Sequence, residues 1–100
     1  MSDEAWGFAP PPFEAEEALQ RLRRELRELG LQERQGAWER RGVSLARLVL
    51  QGHAIEASRV KKPSRSSPDW VSRSLRSSAD VRHFISDLKK HLAQWSDDHD

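Results

Sequence analysis

The chain has 100 residues, 36% of them hydrophobic and 33% charged, with no cysteine and a formal net charge of +1. That length holds one domain with one modest core, and the lack of cysteine excludes disulfides, thiolate metal sites and a thiol nucleophile. No stretch approaches the roughly 18 apolar residues of a membrane span, and the acidic start lacks the basic, then apolar, pattern of a signal peptide. Export and membrane insertion are therefore not expected, and the cytoplasm is the expected compartment.

The net charge conceals a partition. Residues 1–20 hold five acids and no base, and residues 97–100 hold three aspartates, which leaves +9 on the segment between them. A basic body with acidic ends suits a polyanion ligand, because Lys and Arg gain affinity by releasing counterions from phosphates.

Residues 1–12 read as an irregular leader. Pro10, Pro11 and Pro12 favour polyproline II geometry and cannot lie inside a helix. From Glu14 to Leu29 the pattern is helical: Ala15, Leu19, Leu22, Leu26 and Leu29 follow one another by four, three, four and three along one face. Acids crowd its first turn, where the helix dipole favours them, and Gly30 follows as a residue able to take positive φ.

After Gly30 the period changes to that of strands. Leu31 to Arg40 is polar around Trp38 and reads as an edge strand, with Gly36 marking a bulge. The run Val43 to Leu50 is apolar on both parities, as expected of a central strand. His53 to Lys61 forms a third strand, and Gly42 and Gly52 fall at the hairpin junctions. Pro63 and Pro68 bracket a loop over Lys61 to Asp69, after which Trp70 to Leu75 alternates weakly as an optional fourth strand. A second helix is expected from about Ala79 to Trp95, with Val81, Ile85, Leu88, Leu92 and Trp95 on one face and Phe84 widening it. Ser77 and Asp80 have the spacing of a capping box at its start.

The most biased stretch is RVKKPSRSSPDWVSRSLRSS, residues 59–78. It sets Arg59, Lys61, Lys62, Arg65, Arg73 and Arg76 against one acid, Asp69, with Trp70 in the middle. Cations can contact phosphates, serines can donate to phosphate oxygens, and an aromatic ring can stack on an unpaired base. These seven residues, Arg59, Lys61, Lys62, Arg65, Trp70, Arg73 and Arg76, are the candidate nucleic-acid contacts. Solvated cations on a loop with Trp70 folded into the core would produce the same composition.

Catalytic signatures are missing: there is no Gly-x-Ser-x-Gly elbow, no P-loop and no dinucleotide fingerprint among five glycines. The histidines and aspartates near the C-terminus, including His83, His91 and His99, lack the i, i+4 pairing of a helical metal site and read as solvated polar residues. No enzyme activity, cofactor or metal is expected.

The fold expected is α+β in the order α-β-β-β-(β)-α, an antiparallel sheet of three or four strands with two amphipathic helices on one face. The domain spans residues 13–96, between the leader and an acidic tail at 97–100. This order resembles, in outline, the double-stranded-RNA-binding domain. That family's final helix opens with lysines, whereas here it opens SSADVRHF with Lys89 and Lys90 near its other end, and the PSRSSP loop is longer. Neither the family nor its contact residues carry over. The expected function is a small binding module for nucleic acid or another polyanion. The alternative is a protein-interaction or dimerisation domain, monomer or homodimer, using Trp6, Phe8, Trp38 and Trp95 and an exposed strand edge.

Overall fold

Residues 13–97 are described by a computed structural model. The leader read over residues 1–12, and all of the acidic tail except Asp97, lie outside them. Helix α1 (Ala15–Glu28) buries Ala15, Ala18, Leu22 and Leu26. It stops where Gly30 takes φ +89°. There the Gly30 amide donates to the Arg27 carbonyl and the Leu31 amide to the Leu26 carbonyl, each at 3.0 Å. This is a Schellman closure, and the buried pair Leu26 and Leu31 supplies the apolar contact that accompanies it.

Five strands follow, β1 (Gln32–Arg34), β2 (Ala37–Arg40), β3 (Val43–Gln51), β4 (Ala54–Val60) and β5 (Trp70–Leu75), and then α2 (Ser78–Asp97). They form one antiparallel sheet in chain order. The class is α+β as expected, but the strand number exceeds the expected three or four. The extra strand arises at Gly36. Gln35 and Gly36 both take positive φ, 53° and 82°, so the first run is not one bulged strand but a hairpin folded about a type I′ turn, with Arg34 opposite Ala37. Arg41 and Gly42, at 57° and 78°, repeat the turn between β2 and β3. The optional strand at residues 70–75 is present and forms one edge of the sheet. A five-stranded meander departs further from the double-stranded-RNA-binding outline.

The bulge lies on β3. Trp38 pairs with Ala46 while Glu39 pairs with Ser44, which leaves Leu45 without a partner. Consecutive residues Leu45 and Ala46 are consequently both buried, which accounts for the double-parity apolar run over that part of the strand. Further along, Val49 and Leu50 are 50% and 37% exposed. Trp38, expected on an edge, sits in the second strand and is 1% exposed. Its small partner Ala46 leaves room for the indole, which packs in the same core as Leu22, Leu26, Ile55, Leu75, Phe84 and Leu88.

Helix α2 begins as its spacing suggested. The Asp80 amide donates to Ser77 Oγ at 3.1 Å, and Asp80 Oδ2 accepts from the Arg76 amide at 2.9 Å, one residue before the capping-box position. Ser77→Ala is expected to cost about 1 kcal/mol. In a domain of this size that is a melting-temperature drop of roughly 4–8 °C in a calorimetric scan. The Arg76 amide holds the Asp80 carboxyl below the usual carboxylate range, aided by Ser77 and the nearby positive charge of Arg73. A depressed carboxyl stabilises the fold above its unfolded pKa and loses that contribution as pH falls through its folded value. The stability difference between the native chain and Asp80→Asn should therefore be full at neutral pH and shrink in acid, as paired melts across pH would read. A constant difference would contradict the bond's role.

Candidate nucleic-acid interface

Strand alternation divides the basic stretch. On β5, Val71, Arg73 and Leu75 pair with Arg59, Ala57 and Ile55, and Leu75 and Ile55 are fully buried under the helices. Arg59 and Arg73 therefore point to the helix side. Arg59 is engaged there: its Nε donates to Asp87 Oδ2 at 2.5 Å, fixing β4 to α2. His91, expected to be solvated, is half-buried with Nδ1 2.8 Å from the Asp87 carbonyl and its ring 5.7 Å from that of Trp95. Arg73 is exposed on the edge strand near Asp80.

Trp70 faces the other way. It shares the helix-free side with Ser72 and Ser74, and the Arg47 guanidinium lies 4.9 Å from its ring centroid. Beside this stack the Ser58 and Ser72 hydroxyls are 2.8 Å apart on neighbouring strands. Trp70 is thus half-buried and packs against the edge of the core beside the buried Val60, with the Arg47 guanidinium over its ring.

The third group sits at the end of the sheet. The Lys61 amide donates to the Asp69 carbonyl at 2.9 Å, closing the neck of the 61–69 loop beside the Val60–Trp70 pair. Within the loop the Ser67 amide donates to Ser64 Oγ at 3.0 Å. Lys61, Lys62 and Arg65 are exposed, and among the described residues none of them forms an ion pair. The loop folds toward the β2–β3 turn: a Cβ on Gly42 would lie 3.9 Å from an Arg65 guanidinium nitrogen. Loop, turn and the end of α2 together wall a cleft of about 470 Å³ lined by Arg40, Arg41, Arg65, Ser64 and Ser96, with Val43, Leu45, Pro63 and Trp95 as its apolar part. Arg40 donates to Ser96 Oγ at 3.1 Å. None of the described lining residues is an acid.

Arg76 belongs to none of these groups. Six steps of extended chain, about 20 Å at roughly 3.3 Å per step, separate it from Trp70. It donates from Nε to Ser74 Oγ and borders a second hollow with Phe13, Gln51, His53 and Ala54.

Of the seven candidate residues, the fold thus gathers Lys61, Lys62, Arg65 and Trp70 at one end. It places Arg59 under α2, and leaves Arg73 and Arg76 along and beyond the edge strand. It adds Arg40, Arg41 and Arg47, which reading the biased stretch alone missed. Arg41-Gly42 between two strand runs was a legible turn signal, but nothing in the sequence showed that this turn would meet the 61–69 loop. Arg47 is the one cation in the apolar Val43–Leu50 run, a signal that the reading of that run as a central strand passed over. The tryptophan surface of the alternative reading is not formed by Trp38 or Trp95, both buried. Trp6 and Phe8 lie outside the described residues. Among the described residues no helix is long and apolar enough to cross a membrane, and no three His, Asp or Glu side chains gather to hold a metal ion. No protein-family model, curated protein or solved structure matches this chain.

Proposed function

We propose that the protein is a small non-enzymatic binding module that holds a polyanion, single-stranded nucleic acid in particular, on the end of the sheet where the β2–β3 turn meets the 61–69 loop. One observation carries this reading: two segments more than twenty residues apart bring Arg40, Arg41 and Arg65 around one cleft with no acid among its described lining residues. Like charges brought together in this way repel one another, and an anion relieves the repulsion. Lys61, Lys62, Arg41 and Arg65 neutralise phosphates without reading sequence. The Arg47–Trp70 pair supplies a flat cationic surface on which an unpaired base stacks, which favours single strands over duplex. A chain without cysteine suits the cytoplasm, where such ligands are abundant.

Fluorescence anisotropy with labelled single- and double-stranded oligonucleotides across a salt series tests it. Five exposed cations, Arg41, Arg47, Lys61, Lys62 and Arg65, predict a slope of log K against log salt of about −3.5 on a single strand, from roughly −0.7 per phosphate. Binding indifferent to salt, or no binding to either form, would overturn the proposal. A second reading rests on β5, whose outer side has no strand neighbour among the described residues and offers an edge for pairing with a second copy or another protein. Sedimentation showing only monomer, with no partner recovered, would count against it.

A further inference from the structure

We infer that the Arg40–Arg41–Arg65 cleft is a receptor for a phosphomonoester carried on a flat apolar body, as in a free mononucleotide or the phosphorylated end of a strand. The inference rests on the polyanion reading and specifies what its deepest part binds. Three features distinguish the cleft from the open basic surface beside it.

The first is charge density. Three guanidiniums line one cleft, and each offers a planar fork of donors that matches phosphate oxygens bidentately. An internal phosphodiester brings a single charge, whereas a phosphomonoester brings close to two at neutral pH and three free oxygens. Ser64 and Ser96 add hydroxyl donors, and the Ser96 hydroxyl already accepts a bond from Arg40 that aims its guanidinium.

The second is the floor. Pro63 from the loop and the half-buried Val43 from β3 present apolar surface next to the arginines, backed by the nearly buried Leu45 and Trp95. Inorganic phosphate would leave this patch uncovered, while a nucleobase or similar ring would remove it from water. The volume, about 470 Å³, lies within the roughly 300–1,000 Å³ range of small-molecule sites.

The third is the wall on three sides formed by the β2–β3 turn, the 61–69 loop and the end of α2. A chain end enters such a recess, whereas the middle of a strand must climb over a wall to leave it. Trp70 and Arg47 lie on the helix-free side of the sheet near the same loop, so a strand anchored by its end can continue across them.

Two variants remove the charge without touching the core. Arg65→Ala alters an exposed loop residue. Arg41→Asn changes the first central residue of a type I′ turn to the one most favoured before glycine, so the hairpin is retained. Isothermal titration calorimetry on the full chain would compare adenosine monophosphate, adenosine, inorganic phosphate, and oligothymidylate with either a phosphorylated or a hydroxyl end. Adenosine monophosphate or the phosphorylated oligonucleotide should bind at least tenfold more tightly than its unphosphorylated counterpart. Adenosine monophosphate should also exceed inorganic phosphate, and each variant should weaken the preferred ligand about tenfold, equivalent to about 1.4 kcal/mol. Preference confined to the oligonucleotide identifies the strand end as the ligand, and equal preference for the mononucleotide identifies the free nucleotide. Salt-steep binding of both oligonucleotides with no preference for the phosphorylated end, and no binding of adenosine monophosphate, would overturn the cleft assignment while leaving the polyanion reading in place. Binding of adenosine monophosphate without any oligonucleotide binding would overturn the polyanion reading and leave the cleft.

Discussion

Trp38→Ala is expected to destabilise the domain by about 3–5 kcal/mol, the range for deleting a buried aromatic ring, in a protein whose total stability at this size is of the order of 5–15 kcal/mol. The indole is 1% exposed and lies opposite Ala46 on β3. The Arg27 guanidinium of α1 sits 6.0 Å from its ring centroid. Neither neighbour can collapse into the vacated volume. Ala46 is short, and the bulge at Leu45 holds β3 in its register. The residual cavity adds to the lost transfer energy. Urea unfolding followed by circular dichroism measures the loss without depending on the fluorescence of a chain that contains four tryptophans. Trp38→Phe, which keeps a ring in the site, should lose distinctly less. A cost below about 1 kcal/mol for Trp38→Ala, within the usual range of surface changes, would show that the sheet does not depend on this side chain.

The second large effect concerns affinity. Replacing Arg41, Lys61, Lys62 and Arg65 together, by Asn at the turn and Ala elsewhere, is expected to lower affinity for a single-stranded oligonucleotide by about 10²- to 10³-fold near 0.1 M salt, because each phosphate contact contributes a counterion-release term of roughly 0.7 log units per decade of salt. The salt slope should flatten to shallower than about −1, with Arg47 as the remaining exposed cation of the set. All four side chains are exposed on a turn or a loop, so the melting temperature should hold and loss of binding cannot be attributed to unfolding. Arg59→Ala gives a contrasting outcome. Arg59 is paired with Asp87 under α2, so its removal should lower stability more than the quadruple variant does and leave the salt slope nearly unchanged. A slope unaffected by the quadruple variant would show that the ligand sits elsewhere.

The helices were legible because their information is local. An apolar side chain every three or four residues forces one face inward whatever it meets. Gly30 and the Ser77–Asp80 spacing act on backbone groups within a few residues of themselves. The strands were legible as a class, but their count was not. The same dipeptide, a residue followed by glycine, reads as a bulge or as a turn according to whether the flanking residues find each other as partners. At Gln35-Gly36 they do, and one expected strand became two. Trp38 moved from an edge to the interior for the same reason, since the new β1 covers its outer side.

The candidate site was legible in part. Composition alone located the 61–69 loop cations and Trp70, and these four remain together. The division of Arg59 and Arg73 from Trp70 follows from the two-residue alternation of a strand, but fixing which parity faces the helices required knowing that Leu75 pairs with Ile55 in the core. Arg40, Arg41 and Arg47 joined the site through sheet order and loop course, both long-range properties.

By itself, the sequence determined an α+β domain with two amphipathic helices, a sheet between them, and a basic, serine-rich segment joining the last strands to the final helix. Each of these depends on periodicity or on contacts between near neighbours. Only the tertiary structure decided that a turn at Arg41 and a loop at Arg65 meet around one cleft whose described lining holds no acid, and that Trp70 meets Arg47 on the face of the sheet turned away from α1 and α2. The physical reason is that electrostatic recognition depends on distances in space, and antiparallel pairing brings to one end of the sheet charges that the chain holds more than twenty residues apart.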